Sequence, residues 1–415
     1  MGLALPRGGL HRGVDGERRL RPLKPAAMEE RGRGDAGTRR KRMMKKLGLG
    51  CMRLPLKDAG DPASIDLARF CEMTDLFLSR GFTYFDTAYM YHKFESERAV
   101  KEALVKRHRR DRYTLATKLP LSLIKSSDEF MPKFEEQLEK TGVEYFDYYL
   151  LHNINSGNLK LIAEGDPFGF AMKLKAEGRI GKFGFSFHDS PELLDRLLTD
   201  HPETEFVQLQ LNYLDWRSDT IQSRDNYRVC VKHGKPVVVM EPVKGGLLAN
   251  LPPAAMKLLE ARSPKAGAVS WAIRFAASLS NVMMVLSGMS SPEQVRENTD
   301  FMSDFMPLTD DDRRALEGVA EILTAETAIA CTECSYCTDD CPKHIPIPRY
   351  FSLYNALKRF DKKSNAGLYY RNEINRGRTP AKDCIACGSC ARLCPQHLPI
   401  PELMKRVSQA FDSQD

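Results

Sequence analysis

Cysteine is scarce in most of this 415-residue chain, because only three of its eleven cysteines fall within the first 330 residues. Long apolar runs are missing as well: no stretch reaches the roughly 20 apolar residues that a membrane span needs. The opening MGLALP is too short an apolar start for a secretory signal. We therefore expect a cytoplasmic protein without a membrane partner. In that reducing compartment, closely spaced cysteines are more often metal ligands than disulfides.

Basic charge is in excess only at the N-terminus. The chain has a net charge of +7, yet residues 1–46 hold 14 Lys/Arg against 5 Asp/Glu, which leaves 48 against 50 in the remainder. Because the excess belongs to a Gly- and Arg-rich tail without periodicity, we expect residues 1–43 to form a disordered basic extension, with no nucleic acid as partner. A transit peptide is the competing interpretation, which Asp15, Glu17 and the lack of serine oppose.

A glycine-rich phosphate turn is also missing. No G-x-G-x-x-G follows the first predicted strand, where a doubly wound dinucleotide-binding sheet would carry it. The chain instead alternates short apolar strands with helices whose apolar residues recur at three- and four-residue spacing. Eight such units over roughly 260 residues predict an α/β fold, a (β/α)8 TIM barrel, over residues 44–308. The predicted strands are LGLGCM, FTYFDTA, YTLATKL, FDYYLLHN, KFGFSF, FVQLQLN, PVVVMEP and VMMVLSGM, and the helical stretches include DEFMPKFEEQLEKTG, SPELLDRLLTDHP and GAVSWAIRFAASLSN.

Polar side chains mark the ends of three successive predicted strands. Asp86 closes the second strand, Lys118 the third and His152 the fourth, while Tyr91 follows Asp86 in the next loop. Because a barrel of this kind carries its chemistry at the C-terminal ends of its strands, we expect the four side chains to meet at one rim. Taken singly, each has an ordinary role as a helix cap, a solvated side chain or rim packing.

Together these side chains suit carbonyl reduction, which needs a proton donor beside the oxygen that becomes anionic as hydride reaches carbon. The Tyr91 phenol is a weak acid unless a cation lies beside it. Lys118 would supply that charge, and Asp86 would hold the lysine in place as an ion pair. His152 would donate to the carbonyl oxygen or orient it.

The segments that carry these residues resemble the aldo/keto reductase superfamily. FDTAYMYHKFESERAVKEAL is similar to the family's D-T-A-x-x-Y-G-x-S-E segment, and TK and LLH fall where its catalytic lysine and histidine belong. The resemblance spans about residues 46–302. It implies a catalytic tetrad of Asp86, Tyr91, Lys118 and His152. It also implies NADP(H) or NAD(H) bound without a Rossmann fold, and a small-molecule carbonyl or alcohol substrate.

The resemblance further implies where the nicotinamide end of the cofactor lies. Ser186 and Gln208 fit the family's carboxamide contacts, although the asparagine that usually follows the serine is Phe187 here. Met240 stands where an aromatic ring commonly stacks on the nicotinamide, and a methionine can still pack against a ring face. Residues from Val243 onward would follow the pyrophosphate.

The segment LSGMSSPEQVREN resembles the part of the family that binds the adenosine end, through Gln294, Glu297 and Asn298. Gly288 replaces the lysine that often grips a 2′-phosphate. That replacement leaves the choice between NADPH and NADH open, while Ser290 and Gln294 would still bind a phosphate. Helix capping and loop hydrogen bonding are the alternative roles for these polar side chains.

The remaining eight cysteines form two runs with one spacing, C-x₂-C-x₂-C-x₃-C-P. This is the bacterial pattern for two [4Fe–4S] clusters, in which the fourth cysteine of each run ligates the other cluster. One cluster is therefore predicted at Cys331, Cys334, Cys337 and Cys394, and the other at Cys384, Cys387, Cys390 and Cys341. Zinc is the competing interpretation, but it prefers paired C-x₂-C knuckles and has no use for the third cysteine of each run.

Helical patterns surround both cysteine runs. Thr309 and Asp312 resemble a capping box, which predicts a helical connector over residues 309–328. In residues 329–415 the runs are separated by a long segment with helical spacing, which resembles an α-helical ferredoxin-like domain. A barrel of this family followed by such a domain resembles the iron–sulfur-containing aldo/keto reductases.

Two classes of function stay open. In the first, the protein is an NAD(P)H-dependent oxidoreductase that passes hydride at Tyr91, and its clusters transfer or sense electrons. In the second, it is an electron-transfer or regulatory subunit whose barrel binds nicotinamide without significant turnover. Hydride carries two electrons whereas a cluster accepts one, so a relay between them needs a carrier. A flavin would serve, although no flavin fingerprint is recognisable, and a redox protein partner is the interpretation we favour.

Overall fold

The barrel predicted from the sequence is present in the computed structural model. The structure describes residues 45–218, 221–326, 328–360, 366–375 and 377–412. The predicted extension over residues 1–43 lies outside them. The strands are β1 Leu47–Gly50, β2 Tyr84–Asp86, β3 Thr114–Leu119, β4 Phe146–Ile154, β5 Ile180–Phe187, β6 Phe206–Gln210, β7 Val237–Met240 and β8 Val282–Gly288. Within the described residues these eight strands close into one barrel, in which each strand pairs in parallel with the next and β8 pairs with β1.

Helices connect the strands around the outside of the barrel. They are α1 Leu67–Ser79, α2 Ser96–Val100, α3 Phe130–Thr141, α4 Leu159–Gly165, α5 Pro167–Ala176, α6 Pro191–Asp200, α7 Ser223–Lys232, α8 Pro253–Glu260, α9 Ala268–Ala277 and α10 Pro292–Ser303. A π-helical turn, Lys101–Val105, continues α2. The helical stretches predicted near residues 128–142, 190–202 and 267–281 are confirmed as α3, α6 and α9.

Two layers of apolar side chains hold the barrel together. Parallel strands covered by helices are buried on both faces, which is why their sequences read as nearly continuous apolar runs. Tyr84, Leu150 and Phe206 belong to the smaller cluster, which fills the barrel interior. The larger cluster, which includes Trp271, packs between strands and helices. This frame fixes the C-terminal ends of the strands, where the candidate site lies.

A helix leads from the barrel to the cysteine-rich region, as the sequence predicts. Helix α11, Asp310–Glu326, begins with a reciprocal cap: the Thr309 N–H donates to Asp312 Oδ2 (3.0 Å), and the Asp312 N–H donates to Thr309 Oγ1 (3.3 Å). The helices after it are α12 Tyr336–Asp339, α13 Ile347–Phe360, α14 Ala366–Asn375, α15 Ser389–Arg392 and α16 Ile400–Phe411. The region that follows α11 is therefore helical, as the resemblance implies.

The cysteine-rich region has an apolar core of its own. Tyr350 and Phe351 of α13 pack with Met404 and Val407 of α16, and all four side chains are buried. None of the helices in the described residues combines the length and apolar character that crossing a membrane requires.

Candidate functional site

Three strand ends bring the predicted carboxylate, ammonium and imidazole together. Asp86 is the last residue of β2, Lys118 lies one residue before the end of β3, and His152 lies near the end of β4. Lys118 Nζ donates to Asp86 Oδ1 (2.5 Å) and to the Thr87 carbonyl (2.7 Å). Lys118 is 1% exposed and Asp86 is 2% exposed, so the ion pair is shielded from solvent.

Tyr91 reaches the same place from the loop after β2. Lys118 Nζ lies 5.1 Å from the centroid of the Tyr91 ring. The rings of Tyr91 and His152 lie 6.0 Å apart, edge to face. Tyr91, Lys118 and His152 line one chamber, and Tyr91 and Asp86 line the open cleft beside it. The fold thus brings all four predicted side chains to one rim of the barrel.

Burial sets the protonation states of these side chains. It raises the pKa of Tyr91 well above the usual value, so the phenol carries its proton at neutral pH. It lowers the pKa of His152 well below the usual value, and Lys118 lowers that pKa further, so the imidazole is neutral. Burial also raises the pKa of Asp86, but the charge and hydrogen bond of Lys118 oppose the rise. The site therefore offers a protonated phenol, a neutral imidazole and a fixed ion pair.

A buried hydrogen-bond network reaches the backbone carbonyl of Lys118. Glu97 Oε1 accepts from Thr117 Oγ1 (2.7 Å) and from Gln137 Nε2 (2.8 Å). Gln137 Nε2 also donates to the Lys118 carbonyl (3.0 Å). Burial raises the pKa of Glu97 to about 7, although the two hydrogen bonds oppose the rise. Glu97 lies in the same predicted motif segment as Tyr91, and Gln137 connects it to the Lys118 carbonyl.

We expect Glu97 to make stability depend on pH. Its pKa rises from the usual 4.5 to about 7 in the folded protein. Between these values the folded state holds a proton that the unfolded state has lost, so the stabilisation is complete below pH 4.5 and disappears as pH rises toward 7. One proton limits the slope to about 1.4 kcal/mol per pH unit. Urea unfolding across this pH range should show that the free energy of unfolding falls more steeply with pH for the parent than for Glu97→Gln. The same dependence on pH in both proteins would contradict the assignment.

An open cleft runs from Tyr91 along the barrel mouth. The predicted cofactor residues that line it are Gln208, Met240, Val243, Gly288, Ser290, Gln294, Glu297 and Asn298. Ser186, the remaining one, lines the adjoining chamber together with His152. The fold therefore arranges residues from β5 to α10 along one continuous path.

Two polar atoms at the inner end of this path fit a carboxamide. Gln208 Oε1 is buried and has no hydrogen-bond partner among the described residues. Ser186 Oγ accepts from the Asn153 N–H (2.7 Å), which leaves the hydroxyl proton free to donate elsewhere. A carboxamide can donate to Gln208 and accept from Ser186. Met240, at the end of β7, lines both the cleft and the chamber, where a flat ring would pack against it.

The outer end of the cleft is built around the start of α10. The Ser290 N–H donates to Gln294 Oε1 (2.7 Å), and Asn298 Nδ2 donates to Ser287 Oγ (3.0 Å). These side chains thus hold the loop in shape as well as lining the cleft. The N-terminus of α10 adds the partial positive charge that favours a phosphate group.

Arg53 is a charged residue of the cleft that sequence reasoning missed. A Cβ on Gly288 would lie 3.1 Å from Arg53 Cδ, so the arginine runs past the position where the resemblance expects a lysine. Its Nη2 donates to Glu241 Oε1 (3.4 Å) and to the Thr332 carbonyl (3.2 Å). Its position shortly after β1 could have identified Arg53 from the sequence, because sites in barrels use residues that follow strand ends.

The cysteine-rich region covers part of the barrel mouth. We name this region, residues 329–412, the module. The chamber that contains Tyr91 and His152 is also lined by Thr332, Cys334, Tyr336, Pro395 and Gln396 of the module. Gln396 is 4% exposed and exchanges two hydrogen bonds with the Gln210 side chain of β6 (2.9 and 2.8 Å). No sequence pattern indicates this contact, because it joins residues that are far apart in the chain.

The two predicted groups of four cysteines both lie in the module. The first group is Cys331, Cys334, Cys337 and Cys394. Burial raises the pKa of Cys337, and Cys334, Cys331, Cys394 and finally Cys390 add to the rise. Burial raises the pKa of Cys331 to about 12, with Cys334 and Cys394 contributing. Mutual effects of this kind require short distances, so Cys394 of the second run lies near the cysteines of the first run.

The second predicted group, Cys341, Cys384, Cys387 and Cys390, lines one small pocket. Burial raises the pKa of Cys390 to about 11, and Cys384, Cys341 and Cys387 contribute. Cys341 belongs to the first run, so the exchange between the runs is reciprocal. Cys387 is exposed, which brings this group to the protein surface.

The two cysteine runs share one backbone conformation. Positive φ angles occur at equivalent positions of both runs, namely Glu333, Ser335 and His344 in the first and Ala386, Gly388 and His397 in the second. Left-handed backbone is unfavourable for residues with side chains and persists where the surroundings require it. Among the described residues, no three His, Cys, Asp or Glu side chains are arranged around a single metal ion. The two thiol groups and their matching loops fit [4Fe–4S] clusters, which four cysteines hold.

Comparison with known proteins agrees with this architecture. Residues 46–321 match the model of the aldo/keto reductase family, and residues 330–398 match that of a 4Fe-4S dicluster domain. Similar solved structures include aldo-keto reductase AKR11C1 from Bacillus halodurans in its holo form, with 26% identity, a TM-score of 0.54, and coverage of 66% of this chain and 91% of that one. An aldo-keto reductase from Klebsiella pneumoniae in complex with NADPH has 21% identity, a TM-score of 0.54, and coverage of 67% and 91%. A search of the curated proteins finds no match.

Proposed function

Because this chain belongs to the aldo/keto reductase family, we propose that it is an NAD(P)H-dependent oxidoreductase that transfers hydride between nicotinamide and a small carbonyl or alcohol. The observation that carries the proposal is the buried Lys118–Asp86 pair, with 2.5 Å between Nζ and Oδ1, beside the Tyr91 ring. The Klebsiella pneumoniae reductase of the same fold, solved in complex with NADPH, supports the choice of cofactor.

Tyr91 is the proton donor in this proposal. When bound, the nicotinamide supplies or accepts the hydride. Tyr91 gives its proton to the carbonyl oxygen as negative charge develops there. Burial raises the pKa of Tyr91, so the phenol needs the Lys118 charge beside it to release that proton. Asp86 keeps Lys118 in position, and the neutral His152 orients the carbonyl oxygen.

The cleft residues hold the cofactor along its length. Ser186 and Gln208 bind the carboxamide, and Met240 packs against the nicotinamide ring. Arg53 adds a positive charge to the cleft, and its side chain runs from beside Gly288 toward Glu241. The residues assigned to the adenosine end are Gly288, Ser290, Gln294, Glu297 and Asn298. The start of α10 would then accept either NADPH or NADH, because Gly288 provides no cation that would select for a 2′-phosphate.

The module binds two [4Fe–4S] clusters in this proposal, one in each cysteine group. A cluster moves one electron, whereas hydride carries two, so electron flow between barrel and clusters needs a carrier that splits the pair. The exposed Cys387 gives a redox protein partner access to the second group. A bound flavin is the alternative carrier.

The test is anaerobic turnover of a panel of small aldehydes and ketones with NADPH and with NADH, and of the corresponding alcohols with NADP⁺ and with NAD⁺. We expect nicotinamide oxidation with one alcohol formed per nicotinamide consumed, because reduction of a carbonyl uses one hydride. Lys118→Met serves as the control, since it removes the cation beside Tyr91. Nicotinamide consumption without alcohol, or consumption that Lys118→Met does not diminish, would contradict the proposal.

An electron-transfer or regulatory subunit that binds nicotinamide without significant turnover is the second candidate function. The observation that favours it is the narrow space around Tyr91, because Tyr336 and Gln396 of the module share that chamber. Tight nicotinamide binding together with inactivity toward the whole panel would select this candidate.

A further inference from the structure

We propose that the module positions the loop along which the nicotinamide cofactor binds, so that the cofactor and the cluster of the first cysteine group strengthen each other's binding. This inference rests on the proposed nicotinamide function. It concerns residues 243–247, the loop that follows β7 and lines the cleft. Two contacts tie this loop to the module.

The first contact joins Gly245 to the backbone of Thr332. Gly245 has a positive φ, and a Cβ there would lie 2.3 Å from the Thr332 carbonyl oxygen and 3.0 Å from its Cα. Only glycine allows so close an approach. Arg53 donates to the same carbonyl oxygen (3.2 Å). Thr332 is 3% exposed and directly follows Cys331, a ligand of the first group.

The second contact is a buried polar network around Lys244. Its Nζ donates to Asp215 Oδ1 (2.5 Å) and to Gln396 Oε1 (3.0 Å). The Lys244 side chain is 2% exposed, so Asp215 compensates its charge and Gln396 supplies a second buried acceptor. Gln396 also exchanges hydrogen bonds with Gln210. It lies two residues after Cys394, so a first-group ligand again adjoins the contact.

Both contacts therefore come from the loops of the first cysteine group. Cys334 of that group borders the chamber, whereas the second group lines a separate cavity. A cluster that orders the loops around Cys331 and Cys394 would also order residues 243–247, which lowers the cost of cofactor binding. Coupling between two binding events is reciprocal, so the cofactor must stabilise the cluster to the same extent.

Gln396→Ala in the anaerobically purified full chain tests the loop contact. It removes one buried hydrogen bond from Lys244 Nζ and two from the Gln210 amide. We expect the Kd for NADPH, measured by fluorescence, to rise about tenfold. The matched control is Gln409→Ala, the same change at an exposed position of α16 in the same module. Thermal unfolding of all three proteins verifies that each is folded.

Cys331→Ser tests the link to the cluster, with Cys384→Ser as its counterpart in the second run. We expect Cys331→Ser to weaken NADPH binding about tenfold and Cys384→Ser to weaken it less. The reciprocal measurement is iron retained by the parent against a competing chelator at equilibrium. Saturating NADP⁺ should raise the retained iron, and Gln396→Ala should remove that gain.

Three results would each overturn this inference: Gln396→Ala with the parent's NADPH affinity, Cys384→Ser as damaging as Cys331→Ser, or iron retention that NADP⁺ does not change. A parent chain that binds neither NADPH nor NADH would instead overturn the proposed function. The two failures are therefore distinguishable. Weakened binding confined to Gln396→Ala and Cys331→Ser, with cofactor-dependent iron retention, supports the inference.

Discussion

Tyr91→Phe is expected to lower kcat for carbonyl reduction by roughly 10² or more while NADPH binds with the parent's affinity. The substitution removes the only atom of that side chain that carries an exchangeable proton. It preserves the ring, which lies 5.1 Å from Lys118 Nζ and 6.0 Å from the His152 ring. The shape of the site should therefore persist. Steady-state kinetics and a separate fluorescence titration with NADPH would measure the two effects independently.

Tyr89→Phe is the matched control for this prediction. Tyr89 lies two residues away in the same loop, but its hydroxyl donates to Glu136 (2.9 Å) instead of facing the chamber. We expect this variant to lose about 1 kcal/mol of stability from the missing hydrogen bond and to keep its turnover. A Tyr91→Phe enzyme as active as the Tyr89→Phe enzyme would show that another group supplies the proton.

The second prediction concerns metal content. Anaerobically purified protein should carry about eight irons and eight sulfides per chain, because two complete groups of four cysteines are present. Single serine variants of first- or second-group cysteines should retain about four irons. Cys71→Ala is the control that should keep all of the iron, since Cys71 lies in α1, far along the chain from both runs. A stoichiometric zinc content without sulfide would contradict the assignment of two [4Fe–4S] clusters.

Double variants distinguish crossed from uncrossed ligation. Cys337→Ser with Cys394→Ser removes two ligands of one proposed cluster, so about four irons should remain. Cys337→Ser with Cys341→Ser removes one ligand from each cluster, so the iron content should approach zero. If each run instead held its own cluster, these two results would be exchanged. Iron and sulfide assays on the purified variants decide the question.

Much of this architecture is predictable from local patterns. The eight strands were identified from short apolar runs, and the closed barrel confirms them. Strand-end positions located Asp86, Lys118 and His152, because parallel strands deliver their C-terminal ends to one rim. The tetrad roles and the cofactor contacts stay predictions, although the fold brings those residues to one cleft and its adjoining chamber.

Sequence reasoning failed where a contact joins distant parts of the chain. Arg53 has no motif around it, and its guanidinium meets Glu241 and the Thr332 carbonyl only because the barrel closes and the module packs on it. Gly245 looks like an ordinary loop glycine in the sequence. Its close approach to Thr332 becomes visible only in three dimensions.

The sequence by itself determined the fold class, the candidate tetrad and the cysteine spacing, because periodicity and ligand spacing are local properties of a chain. The tertiary structure decided that the module lies against the barrel mouth, that Cys334 shares a chamber with Tyr91, and that Gln396 reaches Lys244. Such contacts depend on the shapes and polar groups of two surfaces assembled from residues far apart in the chain. No local pattern encodes that complementarity, so only the folded chain reveals it.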